Sequence, residues 1–225
     1  MRVLYYFSLD PDSRIARLVL SEKMIDFTIQ HEYPWKLSEK FLSCSPYEML
    51  PTFVDNNGVC VSGILAITEY LEEICPDPRI LGHTLKQRAD ARQIAYWFIS
   101  EFKKDVLEPI LQEKVLKRFE SKTASAPNPN VMRNAMYDIP RFLDRVVYLL
   151  ERRSYLAGRD FSIADISVAS FISVLDYLGV LKWNNYSKTL FTWYVRVKSR
   201  KSFRPLLMDT ISVIPPSRNY AKLDF

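Results

Sequence analysis

The sequence predicts an α/β unit followed by an all-helical one. Strand and helix patterns run β-α-β-α-β-β-α over residues 1–76, the stretch Pro76-Asp77-Pro78 breaks them off, and residues 85–210 carry helical periodicity alone. Residues 77–84 read as a linker and 211–225 as a C-terminal tail.

Arg2 to Phe7 reads as a strand, and after Asp10-Pro11-Asp12 the apolar residues Ile15, Leu18 and Val19 recur at helical spacing up to Glu22. Asp26 to His31 alternates with Phe27 and Ile29 on one face, which suits a second strand, and Leu37 to Leu42 suits a short helix. Two further strand patterns, Leu50 to Asp55 and Val59 to Ser62, flank the turn residues Asn56-Asn57-Gly58 and predict a hairpin. Ile64, Ile67, Leu71 and Ile74 then mark a helix that ends at the prolines.

Beyond the linker, Leu85 to Phe119 reads as a long helix with a kink at Pro109, and Val131 to Arg153 as a second with a kink at Pro140. The Ser-, Ala- and Pro-rich stretch Ser121 to Asn130 between them reads as a loop. Ser162-Ile163-Ala164-Asp165 fits a capping box, and the helix behind it carries Val168, Phe171, Ile172 and Leu175 with few charges on any face, so it should be the buried centre of the helical unit. Tyr186 to Arg200 is amphipathic and basic.

Composition narrows the function classes. With 48% hydrophobic and 25% charged residues in 225, the chain matches globular averages, which excludes wholesale disorder and fibrous repeats. No apolar run approaches the ~18 residues needed to cross a bilayer, and Met1-Arg2-Val3-Leu4 leads into a strand pattern, so a cytoplasmic protein is expected. The net charge is +5 with acids and bases interspersed, and Lys188, Arg196, Lys198, Arg200, Lys201 and Arg204 read as a solvated basic face rather than a nucleic-acid footprint. Cys44, Cys60 and Cys75 lack metal-site spacing and read as reduced thiols, and His31 and His83 make no cluster, so no metal site is expected. Any chemistry must rest on hydroxyls, backbone amides or carboxylates.

Leu50-Pro51 before the third strand, Ala66-Ile67-Thr68-Glu69-Tyr70-Leu71 as an A-I-x-x-Y-L motif, and Phe161 to Asp165 as F-S-x-A-D stand in an order that resembles the glutathione transferase superfamily over almost the whole chain. The resemblance implies a thioredoxin-like N-terminal domain followed by an all-helical C-terminal domain, a cis Leu50-Pro51 bond, and a cleft in which Leu50 pairs with glutathione as an extended peptide. A dimer formed through the first domain and the long helices is also implied.

The same resemblance places Tyr6 where the family's hydroxyl stabilises the glutathione thiolate, with Ser8 as a second candidate; each is more readily read as a strand-end residue packed against the first helix. Asp10 falls at the serine position of other classes, where a carboxylate would repel a thiolate. The family's E-S or Q-S pair, which holds the γ-glutamyl group, is matched here by Gly63-Ile64, and a lost charge-assisted bond costs about 1.5 to 3 kcal/mol. Ser62 is a neighbouring hydroxyl, more readily read as the cap of the third helix. The implied cofactor is therefore none, with glutathione belonging to the alternative of a transferase that conjugates it to small electrophiles.

The altered pocket, the D-P-D-S-R segment Asp10 to Arg14, the Pro34-Trp35 loop and the ending Tyr220-Ala221-Lys222-Leu223-Asp224-Phe225 are similar to the FtsZ-localised division proteins of alphaproteobacteria, a branch of that superfamily. This implies a non-catalytic dimer that binds FtsZ filaments. Trp35 and Leu223, Asp224 and Phe225 are the partner-binding candidates; Trp35 also reads as an anchor to the helical domain, and the tail as a segment packed back on it. Pro215-Pro216 is expected to keep the tail extended and free.

Overall fold

A computed structural model describes residues 1–120 and 126–223. The first unit contains β1 (Val3–Tyr6), α1 (Pro11–Glu22), β2 (Thr28–His31), α2 (Glu39–Cys44), β3 (Thr52–Val54), β4 (Cys60–Ser62) and α3 (Ile64–Ile74). Its sheet has the order β2-β1-β3-β4. β1 pairs parallel to β2, with Tyr6 opposite His31, and antiparallel to β3, with Leu4 opposite Phe53. The Leu50-Pro51 bond is cis, as expected, and Asp77-Pro78 is a second cis bond. In the A-I-x-x-Y-L motif, Ile67 and Leu71 are buried and the Tyr70 hydroxyl donates to Asp55 Oδ2 at 2.7 Å, tying α3 to the end of β3.

The helical unit opens with α4 (Leu85–Trp97), whose capping box joins Thr84 and Gln87. The chain continues through a wide, π-type stretch (Phe98–Leu107), α5 (Glu108–Leu111), a second π-type stretch (Gln112–Leu116) and α6 (Lys117–Glu120). Pro109, expected at a kink, stands where the first wide stretch returns to α geometry; its missing N–H falls at the start of α5. α7 (Pro129–Leu150) begins two residues earlier than the periodicity implied, capped by Asn128 with a proline in its first turn. Residues 121–125 of the expected loop lie outside the described residues.

α8 (Ile163–Tyr177) is buried along its entire length, as its low charge predicted. Ser162 and Asp165 form the expected capping box at its start. Asp165 does more than cap: it accepts the Leu156 amide at 3.0 Å and Trp193 Nε1 at 2.9 Å, so one carboxylate fastens the helix start to two neighbouring segments. Burial pushes its pKa up to about 6 despite these donors. α9 (Lys188–Lys198) and α10 (Arg204–Leu207) complete the unit. The solvated basic face expected there is corrected in part. Lys198 is fully buried, donating to Asp176 Oδ2 and to the Lys222 carbonyl, and Arg200 makes a two-pronged pair with Glu22.

α1 joins the two units. Its apolar side faces the sheet, but every residue from Pro11 to Leu20 is buried, because α8 covers the polar side. Arg14 is fully buried there. Its Nε donates to the Ser8 carbonyl at 2.7 Å, and its Nη1 donates to Ser173 Oγ at 2.6 Å and Tyr220 Oη at 3.0 Å. The Tyr177 and Tyr220 rings lie 5.8 and 5.6 Å from the guanidinium carbon, within cation–π range. Arg17 pairs with Asp209 and Glu22 with Arg200, extending the same seam.

The tail completes that seam, which corrects the expectation that the diproline leaves it free. Ile211 and Ile214 are buried, Tyr177 Oη donates to the Ile214 carbonyl at 2.7 Å, the Ser217 amide donates to the Tyr177 carbonyl at 2.8 Å, and Tyr220 is fully buried. A chain that cannot continue as a helix still finds backbone partners on α8 and sends one aromatic ring onto Arg14. Ending the chain after Pro216 is therefore expected to cost about 3–5 kcal/mol, the scale for leaving a buried charge without one of its partners, and to lower the melting temperature. Tyr220→Phe, which keeps the ring and loses the hydroxyl, should cost about 1 to 2 kcal/mol. Thermal unfolding checks both; a truncated chain melting like the full one would contradict this account.

Candidate functional site: the cleft between the two units

The end of β1, the loops before α2 and β3, and the wide-turned helix of the second unit enclose a cleft of about 320 Å³. Phe7, Asp10, Pro34, Leu37, Glu48 and Leu50 line it from the first unit, and Glu108, Leu111 and Leu116 from the second. The walls are apolar and every charged lining group is a carboxylate. Asp10 is half-buried, while Glu48 and Glu108 are exposed at the rim. Glu48 sits in the left-handed region at φ 52°, two residues before Leu50.

At one side of the cleft, Phe7, His31, Tyr33 and Trp35 form an aromatic group with centroids 4.6 to 6.5 Å apart. Trp35 continues it into the helical unit, stacking on Phe119 at 4.1 Å with the rings 8° from parallel. Trp35 is thus a half-buried bridge between the units, as its reading as an anchor to the helical domain expected.

Neither hydroxyl named for thiol activation lines the cleft. Tyr6 is 6% exposed with its ring under the Arg17 guanidinium at 4.8 Å, and burial raises its pKa. Ser8 is 3% exposed and its Oγ is hydrogen-bonded to His31 Nε2 at 2.9 Å. Burial lowers the His31 pKa, favouring the neutral ring. Asp10 caps α1, accepting from the Ser13 amide at 2.8 Å and the Ser13 hydroxyl at 2.6 Å. It therefore occupies with its own negative charge the helix N-terminus that would otherwise attract an anion.

At the start of α3, Gly63 is the N-cap at φ 84° and provides no side-chain cap, and Ile64 is 4% exposed in the core. A side chain at Gly63 would be strained at this φ and would meet Met49 Sδ at 3.0 Å. Ser62 is a correction: it neither caps the helix nor lines the cleft, but shares hydrogen bonds with Thr52 Oγ1 at 2.8 Å and Ser45 Oγ at 3.2 Å. Strand alternation turns its side chain toward the loop before β3 rather than along the helix axis. Pro51 is buried and its carbonyl accepts the Gly63 amide at 2.9 Å, while Leu50 is half-buried in the cleft wall. Leu223 is 38% exposed; Asp224 and Phe225 lie outside the described residues.

Sequence reasoning missed Glu48, Glu108, Tyr33 and Phe119. Tyr33 was within reach, standing two residues from Trp35 in the same loop. Glu108 and Phe119 come from a helix whose facing side depends on two wide-turned stretches, and no 3.6-residue period predicts which side that is.

Residues 11–74 match the family model for the N-terminal domain of glutathione S-transferases, and residues 104–205 match the model for their C-terminal domain. A curated relative, FtsZ-localized protein A of Caulobacter vibrioides, is 35% identical over 227 residues, covering 100% of this chain and 98% of that protein. Among solved structures, a glutathione S-transferase from Rhodospirillum rubrum is 40% identical with a TM-score of 0.95, both chains being covered completely. The structure of FzlA from C. crescentus is 35% identical with a TM-score of 0.94, covering 100% of this chain and 99% of that one. With both domains matched and the fold aligned end to end, the chain belongs to the glutathione S-transferase family.

Proposed function

We propose that this protein is a non-catalytic member of the family that binds FtsZ filaments at the division site, on the cytoplasmic side. The observation that carries the reading is the state of the cleft: Tyr6 is buried against Arg17, the Ser8 hydroxyl is bonded to His31, Asp10 blocks an anion at α1, and Gly63-Ile64 offers no side-chain partner to a γ-glutamyl group. Similarity over the full length to an FtsZ-localized protein supports the partner. None of the described helices is long and apolar enough to cross a membrane. A homodimer fits the exposed Leu65 and Tyr96 beside a second cavity of about 380 Å³ between α3 and α4.

The absence of glutathione chemistry is tested by titrating millimolar glutathione in a calorimeter. The expected result is no saturable heat and no conjugation of a chlorodinitrobenzene electrophile; tight binding with turnover would favour a transferase instead.

Filament binding is tested by co-sedimentation with assembled FtsZ. Trp35→Ala removes its ring pairs with Phe119, Phe7 and Tyr33, each worth about 0.5–1.5 kcal/mol, and is expected to lower the melting temperature yet leave the protein folded while reducing the pelleted fraction severalfold. Deleting Leu223 to Phe225 is expected to reduce pelleting at an unchanged melting temperature. If wild type stays in the supernatant, the reading fails; if both variants pellet like wild type, these residues are not the contact.

A further inference from the structure

The cleft no longer suits an anionic tripeptide, yet it remains open, and its chemistry has a definite sign. Asp10, Glu48 and Glu108 all face it, and no lysine, arginine or histidine is among its lining residues. Neither Glu48 nor Glu108 makes a salt bridge among the described residues. Directly after Asp10, Asp12 is 6% exposed; its Oδ2 takes Lys103 Nζ at 2.6 Å while its Oδ1 is buried with no hydrogen-bond partner. Asp10 and Glu108 both act electrostatically on Asp12 and on Lys103, so these acids form one field that a single bound lysine does not neutralise.

Around this field the surfaces are those of a peptide groove. Phe7, Leu37, Leu50, Leu111 and Leu116 supply apolar walls on both sides of the carboxylates. Leu50 lies outside the strands, and neither its N–H nor its carbonyl has a hydrogen-bond partner among the described residues, leaving an edge for an extended backbone. A free cation such as a polyamine would answer the charge alone. A polypeptide answers the charge, the apolar walls and the open backbone together.

We infer that the cleft is a docking site for an extended segment of a partner protein that presents an arginine or lysine side chain to Asp10, Glu48 and Glu108, with apolar residues on either side of it. The inference goes beyond filament binding and is tested without filaments, so the two fail separately.

The test titrates the full-length protein with acetyl-Leu-Arg-Leu-amide, with the same peptide carrying neutral citrulline or glutamate at the centre, and with argininamide alone. Binding is read by chemical-shift changes. The arginine peptide is expected to saturate, the citrulline and glutamate peptides to bind at least about tenfold more weakly, and argininamide likewise. The double variant Glu48→Gln/Glu108→Gln alters two exposed rim residues and should keep the melting temperature while weakening the arginine peptide by about tenfold. Equal binding of the citrulline peptide, full affinity in the double variant, argininamide binding as tightly as the peptide, or no saturation at millimolar arginine peptide would each overturn the proposal.

Discussion

The burial of Arg14 is the constraint on which the rest of the structure depends. A guanidinium taken wholly out of water is expensive unless its donors are met. Here Nε reaches the β1–α1 loop at the Ser8 carbonyl and Nη1 reaches α8 at Ser173 and the tail at Tyr220, while Nη2 is buried without a hydrogen-bond partner and two tyrosine rings lie close to the cation. Three segments far apart in sequence are thereby fixed to one side chain of α1. Arg17 with Asp209 and Glu22 with Arg200 extend the same seam along the helix. Neither unit can shift on the other along this seam without uncovering charge.

The same seam runs beneath the two hydroxyls named for thiol activation. Tyr6 lies against Arg17, and Ser8 gives its carbonyl to Arg14 and its hydroxyl to His31. Both residues are thus packed within the first unit against the arginines of α1 and against His31. The cleft presents an apolar wall and three carboxylates, bordered by the aromatic group that Trp35 extends to Phe119. Rigid aromatic surface and fixed charge are properties by which a scaffold discriminates partners.

The order of elements was legible because each carries its own local signal: the Asn-Gly turn, the prolines after Ile74, and the capping box at Ser162. The loss of polar contacts at Gly63-Ile64 was legible for the same reason, since a glycine and an isoleucine offer no side-chain hydrogen bond wherever they are placed. Features that depend on tertiary pairing were not. Helical periodicity marked one apolar face of α1 and gave no hint that Arg14 and Arg17 on the other face would be buried as well. Ser62 looked like a cap until the strand turned it toward Thr52. The tail, without any period, showed no sign that Tyr220 would close over Arg14.

The central claim is that the former ligand cleft and its aromatic border now form an interaction face. Hydrogen–deuterium exchange of the protein alone and bound to FtsZ filaments tests it most directly. The account expects slowed exchange in the Pro34–Leu37 loop, in residues 48–50 and along residues 108–119, with α8 unchanged because it is buried in both states. Protection confined to the α3–α4 face, or none in the presence of bound filaments, would contradict it.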